Sequence, residues 1–302
     1  WKKNFKKCKG KKQSPINIDT SRLESCNKLC KLEIRYKKSK CHIRNTNNTP
    51  ILKYDPGSFI KFSDNIYELS HISFHIPSMH TVNGEYFDME AILYHCDNSS
   101  SCEKGVAISI FLQRGQEHGP SEYFISQFIN QAPAEDRPIE KDIKVGDKWS
   151  AAQLLPKNRS FFYYDGSLPH PPCTEKWTWI LFEQPSNIGK TNYDTFKFNI
   201  KSNVRPIRQL RGRPIYYNSS YSSTDDEDDK VLDDEKDRLD ILDSDKVRYS
   251  SFYYRNKEKI RGILITITMI LIILLAVKLA KYIIRNGIFD RYTTGMSQTK
   301  LT

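Results

Sequence analysis

The chain lacks an initiator methionine, a hydrophobic leader, an internal repeat and a second closely spaced cysteine pair. Without a leader no signal sequence is legible, and the chain is read as starting after processing or truncation. Cys26 and Cys30, separated by three residues, could hold zinc, but no other pair has matching spacing. What remains is the composition of a folded protein of 302 residues, long enough for one large domain or two ordinary ones, with disorder only local.

Charge is unevenly spread. Net charge is +11, yet residues 225–245 (DDEDDKVLDDEKDRLDILDSD) carry twelve acids against three basic residues. Residues 1–224 hold 33 Lys+Arg against 22 Asp+Glu. The basic residues cluster in WKKNFKKCKGKK at the start, RYKKSK at 35–40 and RPIRQLRGR at 205–213. Such clusters favour a polyanionic partner, against the plainer reading of a solvated basic surface.

From Gly262 the run GILITITMILIILLAV, extended through Lys278, Leu279 and Ala280, is long enough to span a bilayer if Lys278 snorkels. Basic residues flank both ends, so the positive-inside rule gives little direction. All seven cysteines and the four N-x-S/T sequons (Asn47, Asn98, Asn158, Asn218) precede this run, which favours an exterior, oxidising side for the N-terminal part. The odd count leaves one thiol free or available for an intermolecular bridge, and so for a homo-oligomer.

These observations predict an ectodomain over 1–217, an acidic stalk and juxtamembrane segment over 218–261, a transmembrane helix over 262–281 and a short tail over 282–302. The stalk is too charged and too poor in aromatics to bury a core. Within 1–217, GVAISIFLQ, KWTWILF and TFKFNI are short, rich in β-branched and aromatic residues and bounded by Gly, Pro and Asn, which predicts strands. PSEYFISQFINQA at 120–132 predicts a helix with Ser121 as its cap. The fold class is mainly β with few helices.

Three longer segments sharpen this: QSPINI at 13–18, SFHIP through MHTVNGEYFDMEAILYH at 73–95, and YDGSLPHPPCTEKWTWI at 164–180. In order and approximate spacing they resemble the α-carbonic anhydrases. The likeness continues through GVAISIFLQ, DKWSAAQLLP and NVRPIRQLRGRPI, so it covers essentially residues 1–217. It implies a large, twisted, mostly antiparallel sheet with a conical cleft on one face.

The resemblance also implies a zinc held by H-x-H on one strand and E-x-H on the next. Alternate residues of a strand face the same way, so two imidazoles can converge on one ion. Here H-x-H reads Ser73-Phe74-His75 and E-x-H reads Glu90-Ala91-Ile92, so one ligand of three survives and no metal or other cofactor is expected. His71 shares the face, but four residues of strand put its Cα roughly 13 Å from that of His75 unless a bulge intervenes. The family's gatekeeping threonine matches Pro169 and its glutamate partner matches Met79, so the relay that orients a metal-bound hydroxide is missing too. The proton-shuttle histidine falls near Asn48. His80 and His95 match structural histidines, and Cys8 and Cys173 match a disulfide of the secreted and membrane members.

A catalytically degenerate domain of this kind on a stalk with one C-terminal anchor resembles the carbonic-anhydrase-like cell-surface-binding proteins of poxvirus envelopes. That resemblance implies attachment of virions to cell-surface sulfated glycosaminoglycan, notably chondroitin sulfate, a location in the virion envelope or cell-surface membrane, and sequons that stay bare. The expected contacts are Lys37, Lys38, Lys40, Arg44 and Lys53, followed by Arg205, Arg208, Arg211 and Arg213. Nucleic acid is not an expected partner outside a membrane. Two rivals stay open: a membrane-anchored carbonic anhydrase with residual CO2 hydration, and a cellular carbonic-anhydrase-related adhesion protein that binds another protein.

Overall fold

The computed structural model describes residues 4–26, 30–45, 50–97, 102–115, 117–131, 140–200, 203–219, 268–269 and 272–282. The chain divides into two units, Trp1–Ile241 and Leu242–Thr302.

The first unit is built on strands. In its first half these are β1 (Asn17–Ile18), β2 (Glu24–Ser25), β3 (Leu32–Arg35), β4 (Cys41–Asn45), β5 (Pro50–Lys53), β6 (Phe59–Phe62), β7 (Asn65–His75), β8 (Thr81–Val82) and β9 (Glu85–Tyr86). The second half adds β10 (Met89–Cys96), β11 (Gly105–Arg114), β12 (Glu140–Ile143), β13 (Phe161–Gly166), β14 (Trp177–Phe182), β15 (Ser186–Ile188) and β16 (Tyr216–Asn218). Two α-helices accompany them, α1 (Pro120–Ile129) and α2 (Lys190–Asn199).

Thirteen strands form one sheet with the central order β12-β4-β5-β7-β10-β11-β14-β13-β16-β2. It is mixed: antiparallel pairs dominate, but β11 pairs with β14 and β15 in parallel, and β16 with β2. Burial follows position in the sheet. The middle of β11 is buried on both faces and reads as a continuous apolar run, whereas β7 alternates exposed and buried residues until Ile72, where it passes into the core. A side layer of α1 and α2 seals one face, with Phe124 stacked on Trp149 at 4.4 Å and Phe74 packed 5.1 Å from Phe196.

Two local expectations are corrected. TFKFNI lies in α2, not in a strand: its aromatics alternate, but Asn192, Tyr193 and Phe196 are buried at helical spacing while Phe198 is 86% exposed. Ser121 does not cap α1. Gly119 is the N-cap, Pro120 opens the helix, and the Ser121 hydroxyl donates to the Asn187 carbonyl at 2.7 Å.

Three disulfides form: Cys8–Cys173, Cys26–Cys30 and Cys96–Cys102. The second removes the zinc reading of Cys26 and Cys30. The odd cysteine is Cys41, buried at the start of β4 with its thiol pushed up to about 12 by burial. A thiol 1% exposed is not presented to a second folded chain, so Cys41 does not serve the intermolecular bridge considered above.

In the second unit, residues 268–269 and 272–282 are helical, and Ile272, Ile273, Leu274 and Leu275 are exposed. Among the described residues no helix is long and apolar enough to cross a membrane. The rest of the 262–281 span, the stalk from 220 and the tail from 283 lie outside the described residues, as do Asn47, Asn48 and Asn98.

Candidate functional site

Strand register brings the degenerate ligand positions together. Ile92 of β10 lies directly opposite Ser73 of β7, and Glu90 lies opposite His75. Residues 73 and 75 share one face of β7, and 90, 92 and 94 share one face of β10. All five are buried. Ser73 Oγ and His75 Nε2 are 2.8 Å apart, and Tyr94 lies diagonally across from Ser73 on the same face. Burial pushes His75 down to about 4, against the opposing pull of the Glu90 charge and of Asn203, so the ring is neutral at pH 7.

If the Ser73 hydroxyl donates to His75 Nε2, the neutral ring carries its proton on Nδ1. His75 Nδ1 is buried without a hydrogen-bond partner, near Asn203, whose amide instead donates to the Phe74 carbonyl at 3.0 Å.

These residues do not fit zinc. Zn–N bonds are ~2.0–2.1 Å, so an ion on the Nε2 lone pair would overlap the Ser73 oxygen 2.8 Å away. Ile92 offers no donor atom. Among the described residues no group of three His, Cys, Asp or Glu could hold a metal ion. His71 does not rescue the site: the β7 bulge falls between His71 and Leu69, on the far side of His71 from His75, and the imidazole stacks on Tyr94 at 4.6 Å.

Behind this surface the polar scaffold is complete. Glu90 Oε2 accepts from the backbone N–H groups of Met79 (2.7 Å) and His80 (2.9 Å); Oε1 contacts His80 Nδ1 (2.8 Å) and accepts from Ser109 Oγ (2.7 Å). Burial pushes the Glu90 pKa up, but His80 and the hydrogen bonds outweigh it, so the carboxyl titrates below its ordinary value. His80 Nε2 continues to Tyr164 Oη, and Tyr164 to Ser14 Oγ, each at 2.8 Å. His95 is a satisfied core histidine, 2.8 Å from Tyr36 Oη and 3.2 Å from the Val106 carbonyl, with burial pushing it down to about 3.

The expected glycan contacts separate into two groups. Lys53 of β5 stands between His42 of β4 and His71 of β7 in one cross-sheet row, and Arg44 of β4 lies two strands from Ser73 in the neighbouring row. Lys37, Lys38 and Lys40 are exposed in the loop before β4, which is tied down by Tyr54 Oη donating to the Lys37 carbonyl and Lys40 N–H donating to Asp55. Lys53 and Arg44 share the face of the degenerate site.

Arg205 and Arg213 are corrected: each is 8% exposed. Arg205 donates to the Ser14 carbonyl and Gln13 Oε1, both at 2.8 Å. Arg213 donates to the carbonyls of Asp165, Gln13, Leu210 and Gln209. Guanidiniums whose donors are spent on backbone pin the QSPINI segment to the sheet rather than meet a ligand. Arg208 is half-buried and its N–H donates to the Pro15 carbonyl; Arg211 is exposed at a positive φ of 54°.

The residue that sequence reasoning passed over is Tyr94. It is 1% exposed, held between the His71 stack and the edge of Trp177 at 5.7 Å, with His170 at 6.2 Å. The available signal was parity: Tyr94 is two residues after Ile92 and so must face the same way.

Comparison with known proteins agrees with this architecture. The family model described as eukaryotic-type carbonic anhydrase matches residues 1–219. A carbonic anhydrase of Nostoc sp. is 31% identical over 208 residues, covering 68% of this chain and 75% of that protein. Dioscorin DB3L of Dioscorea polystachya is 28% identical, covering 72% and 79%. The solved carbonic anhydrase of Chlamydomonas reinhardtii in complex with acetazolamide superposes with a TM-score of 0.62 at 29% identity, covering 69% of this chain and 91% of that one. With a family model spanning most of its length and a relative above 30% identity, the chain belongs to the α-type carbonic anhydrase family.

Proposed function

We propose that the domain is a non-catalytic, membrane-anchored attachment module that binds sulfated glycosaminoglycan, with chondroitin sulfate as the leading candidate, at a virion envelope or cell surface. The observation that carries the reading is the pairing of a metal position the residues do not fit with cationic side chains on the same sheet face, Lys53 and Arg44 in adjacent cross-strand rows, to which the loop before β4 adds exposed Lys37, Lys38 and Lys40. Without a metal, water keeps its bulk pKa, far above neutrality, so little hydroxide exists at neutral pH. Pro169 and Met79 remove the orienting relay as well.

Sulfated glycans present dense, regular negative charge that lysine and arginine neutralise with counterion release, by analogy with nucleic-acid backbones. The +11 balance of residues 1–224 supports this partner class. The apolar 262–281 run supplies the anchor, and the acidic 225–245 segment competes for the basic face from the same tether.

The test is a sulfated-glycan array probed with the full chain in detergent, repeated on the variant K37E/K38E/K40E/K53E. The proposal expects steeply salt-dependent binding and at least about a tenfold loss on charge reversal. Unchanged affinity in the variant, or indifference to all sulfated glycans, would sink it. Residual CO2 hydration is the second reading, favoured by relatives that are named carbonic anhydrases; turnover that requires stoichiometric zinc would establish it instead.

A further inference from the structure

Loss of two histidines is the evident reason for a site that does not fit zinc, but the geometry points to a second. We propose that Tyr94 excludes metal ions from this cleft by filling, with its own ring and hydroxyl, the space on which positions 73, 75 and 92 converge. The inference deepens the non-catalytic reading and rests on it.

Three observations carry it. Register places Tyr94 opposite His71, two residues from Ile92 on the same face and diagonal to Ser73, within the reach of an aromatic side chain over the ligand positions. Ser73 Oγ stands 2.8 Å from His75 Nε2, so the serine oxygen occupies the direction from which an ion would approach that nitrogen, with the Tyr94 ring beside it. The ring is also locked. It stacks on His71 at 4.6 Å, meets Trp177 and Trp179 edge-on at 5.7 and 6.4 Å, and is 1% exposed, so it cannot swing aside without abandoning its aromatic packing. Restoring histidine at 73 removes the serine oxygen but leaves the phenol in place.

The consequence is that the two histidines are insufficient. In the full chain, the double variant S73H/I92H is expected to bind zinc weakly, and S73H/I92H/Y94V about a hundredfold more tightly. Zinc affinity is read by competition with a chromophoric chelator, and the geometry by the visible absorption of the cobalt(II) form, neither of which depends on activity. S73H/I92H/Y94F keeps the ring and is expected to stay weak.

Equal zinc affinity in the double and valine variants would overturn the inference, and so would a phenylalanine variant that binds as tightly as the valine one. Thermal melts establish that each variant is folded; if valine leaves too large a hole, Y94L in the same background carries the same expectation. Failure here is distinguishable from failure of the non-catalytic reading: stoichiometric zinc in the unmodified chain sinks that reading, whereas zinc binding by S73H/I92H alone sinks only the role of Tyr94.

Discussion

Two layers of the same sheet face, a few ångströms apart, have been treated differently. The front layer, Ser73, His75, Ile92 and Tyr94, offers one histidine, whose Nε2 is engaged by the Ser73 hydroxyl. The layer behind it, Glu90, His80, Ser109, Tyr164 and Ser14, is fully hydrogen-bonded. In a metal site such a back layer orients the ligands; here one of the three ligand positions, His75, is a histidine. A network that is fully bonded beside such a front layer has the makings of a buried polar brace, and its contribution to stability is measurable.

The comparison can be broken first at the covalent tie that holds the N-terminal segment over the back layer. Replacing Cys8 and Cys173 by serine opens a loop with a sequence separation of 165 and should cost about 4–5 kcal/mol, read as a lower denaturation midpoint. Next, Glu90→Ala leaves His80, Ser109 and two backbone N–H groups without their acceptor. The expected loss is about 3–5 kcal/mol by chemical denaturation, with no recovery on adding zinc. An effect below about 1 kcal/mol, the scale of a surface change, would deny the brace its role.

Acid sharpens the contrast. His75 and His95 titrate at about 4 and about 3 in the folded chain, below the ordinary value of 6.5. The unfolded chain therefore takes up protons first, and stability falls as pH drops below about 6.5 toward the folded values. The expected slope is about 1.4 kcal/mol per pH unit for each histidine. Glu90 adds to the loss only below its ordinary carboxyl range, because its folded pKa is depressed. Replacing His95 by Phe should flatten the slope between pH 6 and 5, whereas Glu90→Gln should leave that interval nearly unchanged.

The smallest effect belongs to the front layer. Tyr94→Phe removes one hydroxyl and keeps the ring packing on His71 and Trp177, for an expected cost of about 1 kcal/mol. A much larger cost would mean that the front layer, too, braces the fold.

Much of this was legible in the sequence, for reasons that differ by element. β11 and β14 announce themselves because β-branched and aromatic runs suit strands buried in a sheet. The Ser73/His75/Ile92 convergence follows from strand parity and from the resemblance, which also implied the Cys8–Cys173 pair. α2 was misread because alternating aromatics imitate a strand, and tertiary packing of Tyr193 and Phe196 decided otherwise. Nothing in RPIRQLRGR distinguishes Arg205 and Arg213, which donate to buried carbonyls, from Arg211, which faces solvent. That distinction arises from contacts with Gln13 and Ser14, nearly two hundred residues away in sequence. Tyr94 could be assigned a face, but not its surroundings: the ring is packed between His71 and Trp177, which lie far from it in sequence.

The most direct test of the central claim is the zinc content of the full chain, expressed with zinc in excess and then dialysed against metal-free buffer. A closed front layer over an intact brace predicts a folded protein with no stoichiometric zinc. One tightly held zinc per chain, ligated at His75, would contradict it.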